Sequence, residues 1–430
     1  MRRIAVSLSV LLMTALGVPA AASAATAAPT APAHAAAAAP AGAIAAMSCT
    51  GANSCIGVGD YTTPVKGVSA FLRTWNGAGW GPIFGAVPAS ADEGLSGISC
   101  TSATFCVAVG DRISKSTGDV AALAATWNGS AWSQTVAPGP ASSFKIAQLY
   151  GVSCATARSC LAVGVYYATT NAPGTSGQLI EGFIDSWNGT KWAASYKTTT
   201  GRRGIQASQL GEVSCRSAAN CVAVGSTYQA NYTLEARTDE TYHPVALTWN
   251  GRKWTASTVP IPSRGHGALD GVSCWSANRC VAVGNYFANE PAGDAAPPKS
   301  TLIAARWNGA KWSVAKLPSS GNGPGLSDVS CVSAANCLAV GTYRTGGDVY
   351  RSLADAWNGK TWRAIAVATP KGGAGKTGPY PNSFELTNLT CATTKDCVAF
   401  GFVGPLQNLA AATTFAEFYV GSRLSNIADS

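Results

Sequence analysis

Apolar residues fall in short bursts along the chain, and the bursts repeat. LSGISC stands at 95–100, LYGVSC at 149–154 and LDGVSC at 269–274, with IAAMSC at 44–49 and LTNLTC at 386–391 as looser copies. Five residues after each comes a second run that ends in glycine. It reads CIGVG at 55–59, CVAVG at 106–110, 221–225 and 280–284, CLAVG at 160–164 and 337–341, and CVAFG at 397–401. Both runs are short and apolar on both faces, which predicts buried strands. A polar stretch of variable length follows. A third run then leads into Trp-Asn-Gly, as in LAATWNG at 123–129, and a fourth opens at the next tryptophan, as in WSQTV at 132–136. Asn-Gly between strands predicts a two-residue turn with positive φ at both residues. That register sets Trp75 opposite Ala78 and Trp80 opposite Arg73, with the two indoles diagonal on one face.

Seven such units of four strands predict an all-β fold, a seven-bladed β-propeller with four antiparallel strands per blade. A single blade cannot cover its own two faces, whereas a ring of blades covers them all. No strand exchange joins the first unit to the last, so the ring is expected to close by side-chain packing.

The cysteines strengthen this reading. All fourteen fall in C-x5-C pairs: Cys49–Cys55, Cys100–Cys106, Cys154–Cys160, Cys215–Cys221, Cys274–Cys280, Cys331–Cys337 and Cys391–Cys397. Successive pairs start 51, 54, 61, 59, 57 and 60 residues apart. Each unit offers two thiols and no repeated histidine, too few ligands for zinc. One disulfide within each blade is therefore expected, and no metal. Closing so short a loop contributes roughly 2–2.5 kcal/mol per bridge.

The N-terminus has a different composition. Arg2 and Arg3, an apolar stretch and ASA at 22–24 form a secretory signal over residues 1–24. Residues 25–42 are rich in Ala and Pro and read as a disordered linker. Residues 43–430 are then the propeller, in a protein secreted to the extracellular space. Nothing past the signal is long and apolar enough to span a membrane. Charged residues make up only 12% of the chain and hydrophobic ones 47%, and the formal charge is +9. The basic residues are scattered in sequence, which fits ordinary solvation or an attraction to anionic envelope polymers better than nucleic-acid binding.

The order of buried strand, glycine-ended strand, variable loop and Trp hairpin resembles the kelch repeat. One glycine (Gly59, Gly110, Gly164, Gly225, Gly284, Gly341, Gly401) stands where kelch units carry two. The C-x5-C pair is foreign to them. With that pair and W-N-G-x-x-W, the unit is similar to repeats in secreted bacterial proteins of unassigned function. The resemblance implies a propeller scaffold and no particular chemistry.

Strand direction sorts the connections. Disulfide loops and Asn-Gly turns share one end of each blade; the longer, variable connections share the other. Variable loops on a rigid scaffold commonly carry binding. Tyr61, Tyr166, Tyr228, Tyr286 and Tyr343 stand just past the strand-ending glycines, and Arg202, Arg203, Arg264 and His266 belong to the same loop set. Trp275 lies inside a disulfide loop, CWSANRC. These are the candidate ligand-binding residues. The repeated tryptophans read as packing between blades, with sugar stacking as the alternative. No catalytic motif and no cofactor site is present; PKGGAGKT at 370–377 lacks the leading glycine and the helix that a phosphate loop needs. The reading is a non-catalytic binding propeller for a glycan or an anionic cell-envelope polymer. The alternatives are a protein-interaction or structural propeller with an extracellular protein partner, and a polysaccharide hydrolase or lyase.

Overall fold

The computed structural model describes residues 42–426 except 52, 64–66, 78–79, 82–83, 86–90, 141–145, 170–177, 198–206, 233–236, 262–264, 288–299, 316, 319–320, 346–348, 370–382, 405–412 and 421–422. The signal reading and the linker reading up to residue 41 fall outside this set, as do Arg202, Arg203, Arg264 and the phosphate-loop imitation; Gly42, read as the linker's last residue, opens the first strand.

Each unit folds as the burst pattern dictates. In blade 3 the strands are Ala147–Thr156, Ser159–Thr169, Gln178–Trp187 and Trp192–Lys197, paired in sequence order and antiparallel throughout. The same four-stranded sheet recurs in blade 1 (42–85), blade 2 (91–136), blade 4 (207–258), blade 5 (266–315) and blade 6 (322–364). The first strand of each sheet packs against the first strand of the next, and the last returns to the first, so these strands form the inner wall of a ring. Seven apolar cores lie between neighbouring sheets, one at every seam. This is a β-propeller.

The expectation of seven equivalent blades is corrected. Six sheets are four-stranded blades. The last is a five-stranded closing sheet made of Ser383–Cys391, Cys397–Gly404, Thr413–Val420 and Arg423–Asn426, with Ala366–Val367 from the end of blade 6 added in parallel. The reason is local. The outer strand of blade 6, Trp362–Ala364, stops after three residues, and the chain moves on to the neighbouring sheet. That sheet has no Trp-Asn-Gly hairpin of its own, so its outer edge is free to accept another strand. Leu424, fully buried there, packs with Ile365 and Val367.

The disulfides form as paired in sequence, one per blade and one in the closing sheet. Each joins directly opposed residues of the first two strands. The serine of each S-C dipeptide has a separate task. Its Oγ accepts the N–H of the next sheet's first cysteine. Ser48 serves Cys100, Ser99 Cys154 and Ser153 Cys215; Ser214 serves Cys274, Ser273 Cys331 and Ser330 Cys391, at 2.9–3.1 Å. The motif therefore encodes contact between blades as well as within them. The glycine ending the second strand is explained by a bulge in the first. Tyr150 is squeezed out of register between Leu149 and Gly151, and the Gln148 carbonyl presses on Gly164 where a Cβ would sit.

The hairpin differs from expectation. Trp127 lies directly opposite Trp132, and the other five pairs match. The loop has four residues, not two. Asn128 Oδ1 accepts the N–H groups of Ser130 and Ala131, and Gly129 alone supplies the φ of 94° the turn requires. An asparagine side chain that mimics backbone in this way favours the longer loop. The paired indoles stand 5.3–5.6 Å apart.

Candidate functional site

The tyrosines that follow the strand-ending glycines do not gather on one surface. Tyr61, Tyr166, Tyr286 and Tyr343 are each drawn into a different seam. Tyr61 packs on Phe71 between the closing sheet and blade 1, and Tyr166 on Phe183 between blades 2 and 3. Tyr286 lies against the core between blades 4 and 5, and Tyr343 against that between blades 5 and 6. Tyr166 is buried and donates its hydroxyl to the buried carboxylate of Glu181; burial and that carboxylate push its ionisation up. Tyr228 pairs with Ala207 and Tyr242 in blade 4. His266 opens blade 5 opposite Phe287, half-buried, with Nδ1 enclosed and without a hydrogen-bond partner. Trp275 is half-buried and packs on the core of the next seam, which holds Trp357 and Cys331.

The repeated tryptophans are structural in their hydrogen bonding. The first indole of the pair donates inward to its own disulfide loop: Trp127 to the Ala103 carbonyl, Trp187 to Ala157, Trp249 to Ala218 and Trp357 to Ala334. The second reaches the preceding blade: Trp192 donates to Thr135 Oγ1, Trp254 to Ser195 Oγ and Trp312 to Ser257 Oγ. Most of their faces are spent on packing.

A different group was not anticipated from sequence. Inner-wall strands carry carboxylates at and beside the bulge. Glu212 and Asp328 replace the glycine of L-x-G-V-S-C in blades 4 and 6, and Asp270 is the bulged residue of blade 5. Burial raises all three. Glu212 reaches about 8, helped by the charge of Asp328 and opposed by the Val213 N–H; Asp270 and Asp328 reach about 7. The N–H groups of Val329 and Leu389 both donate to Asp328, so this side chain also ties blade 6 to the closing sheet. Asp60 and Asp111, just past their strand-ending glycines, are raised by burial to about 6, and Glu385 to about 7. The sequence signal was present: an acid where the repeat has glycine is a conspicuous departure, but without the bulge nothing indicated that the position faces the ring's interior. Groups held near neutrality exchange protons readily. Here, however, they sit among the inner strands, where Asp328 joins two sheets, and no three metal-ligating side chains converge among the described residues.

The class this fold defines is a β-propeller, and comparisons agree. A polysaccharide lyase, an ulvan lyase bound to a GlcA–Rha3S unit, is similar over 91% of this chain and 93% of its own, at 11% identity and a TM-score of 0.54. A structure described as YCF48 bound to a D1 peptide is similar over 89% of this chain and 95% of its own, at 14% identity and a TM-score of 0.45. The β-propeller domain of the trilobed protease from Pyrococcus furiosus is similar over 87% and 92%, at 9% identity and a TM-score of 0.46. At these identities the likeness concerns the fold alone. No model of a known protein family matches the sequence, and no curated protein does. Seven disulfides imply folding in an oxidising compartment. Among the described residues no helix is long and apolar enough to cross a membrane.

Proposed function

We propose that this chain is a secreted, non-catalytic binding propeller on a kelch-like repeat plan, taking a glycan or cell-envelope polymer at the end formed by its variable connections. The observation that carries this is the asymmetry of the ring. One end repeats the same two short loops around the ring, while the other joins the same strands by connections that differ in every unit. Uniform loops on a rigid scaffold serve the scaffold; varied ones are free to serve recognition. A propeller holds an acidic saccharide in the ulvan lyase, which supports the suitability of the architecture for such a ligand. His266, half-buried with its Nδ1 unpartnered, is the described side chain to test first at that end, together with Arg264 and Tyr228 from the same set of connections.

The test is a glycan array probed with the full secreted chain, followed by titration of the hits. Binding is expected to fall about tenfold when Arg264 and Tyr228 are changed to Ala, and no turnover of the bound glycan is expected. Cleavage of the glycan would replace this reading with the hydrolase or lyase. Capture of a protein partner with an empty array would replace it with the interaction propeller.

A further inference from the structure

The uniform end of the ring has a property its sequence repeats do not advertise. Each disulfide loop packs on the Asn-Gly turn of its own blade, as where Gly189 lies against Arg158 and Gly309 against Asn278. The two loops make one knuckle per blade. Blade 3 places Arg158 and Lys191 there, and blade 4 places Arg216, Arg252 and Lys253. Blade 5 adds Arg279 and Lys311, blade 6 Lys360, and the closing sheet Lys395. All nine are exposed. Asp396 is the one acid in these loops, and it accepts a bond from Thr393 at 2.6 Å. Nine of the 30 basic residues and one of the 21 acidic ones therefore occupy these knuckles, leaving 21 and 20 in the rest of the chain. The rim holds nearly all of the molecule's formal excess. Scattered in sequence, the charges are gathered in space because every blade delivers the same two loops to the same end.

The charges also have a direction. Blades 1 and 2 contribute none, so they form an arc over five consecutive sheets. Among the described residues none of the nine pairs with a carboxylate; Arg279 donates to the Asn308 carbonyl. Self-repulsion along such an arc is a standing cost that a bound polyanion relieves, with release of its counterions.

We infer that this arc is a second docking surface, distinct from the variable end, and that its occupant is a linear polyanionic glycan carrying carboxylate, sulfate or phosphate along its length. An arc suits a chain laid along it. Base stacking needs exposed aromatics, and membrane insertion needs exposed apolar side chains. The one large apolar side chain exposed among the described residues, Val314, lies on the outer strand of blade 5 and not in a knuckle. The inference stands whether or not the variable end binds a neutral glycan.

The experiment uses the full chain and three probes: dextran sulfate, neutral dextran, and vesicles of phosphatidylglycerol. Wild type is expected to bind dextran sulfate and not dextran, with affinity falling steeply with salt. The triple variant Arg216→Gln, Arg252→Gln, Lys253→Gln is expected to bind about tenfold more weakly at about 0.1 M salt and to lose roughly two to three from the slope of log K against log salt. A control triple at the other end, Lys115→Gln, Lys197→Gln, Arg344→Gln, is expected to stay within about twofold. Circular dichroism and thermal melting confirm that both variants fold. Equal losses in the two triples would show that only net charge matters and overturn the proposal. So would absence of dextran sulfate binding at low salt, or vesicle binding without it. Retained glycan-array hits in the rim triple separate this surface from the variable end.

Discussion

Blade 3 and the closing sheet start from nearly the same inner strand, LYGVSC and LTNLTC, and end differently. Blade 3 finishes in a Trp hairpin whose second indole reaches Thr135 of blade 2. Its Ser153 Oγ accepts the N–H of Cys215 in the next blade. The closing sheet has no such hairpin and borrows two residues from blade 6 to cover its edge. At its seam with blade 1, Thr390 Oγ1 makes no bond to the Cys49 N–H, and Asn388 instead donates to the Ala45 carbonyl at 2.5 Å. Both the neighbour and the sheet's own outer strands differ. A middle blade meets two copies of itself. The closing sheet meets the beginning of the chain, where the copy is worn.

Three measurements sharpen or break that contrast. The largest effect is expected at the closing seam. Leu424→Ala empties a fully buried site and is expected to cost about 2–5 kcal/mol, as is Ile184→Ala between blades 3 and 4. The two should differ in kind. Loosening the closing sheet opens the ring, so Leu424→Ala should lower the slope of guanidinium unfolding, while Ile184→Ala shifts only its midpoint. Identical slopes would mean that the closing sheet is no weaker than any other. A smaller effect is expected in the serine ladder. Ser153→Ala removes the acceptor of a partly buried N–H and should cost about 1–2 kcal/mol in urea unfolding, whereas Thr390→Ala should cost almost nothing. Equal losses would put the ladder's value in side-chain volume instead.

The third measurement concerns pH. Glu212, Asp270 and Asp328 titrate near 8, 7 and 7 in the fold. Unfolded, such groups titrate near about 4. Between these values the folded state holds more protons, so stability declines as pH rises through that window. The melting temperature should be higher at about pH 5 than at about pH 8, and Glu212→Gln should flatten the decline and raise the melting temperature at the alkaline end. A Glu212→Gln profile parallel to wild type would remove this carboxyl from the inner wall's energetics.

Sequence alone determined the strands, the pairing of every cysteine, the common end shared by disulfide loops and Asn-Gly turns, and the ring itself. Those follow from short-range rules: alternation of apolar runs and turns, thiols six positions apart, and faces that one sheet cannot cover. Tertiary structure decided what depends on a neighbour some fifty residues away in the chain. It set the paired indoles directly opposite each other and tilted, through an asparagine side chain, and drew Tyr61, Tyr166, Tyr286 and Tyr343 into seams. It turned Glu212, Asp270 and Asp328 inward through a bulge, and it lent Ala366–Val367 to the closing sheet. The basic arc belongs to both: the residues are legible one by one, but their sum becomes a surface only when the ring sets the knuckles side by side.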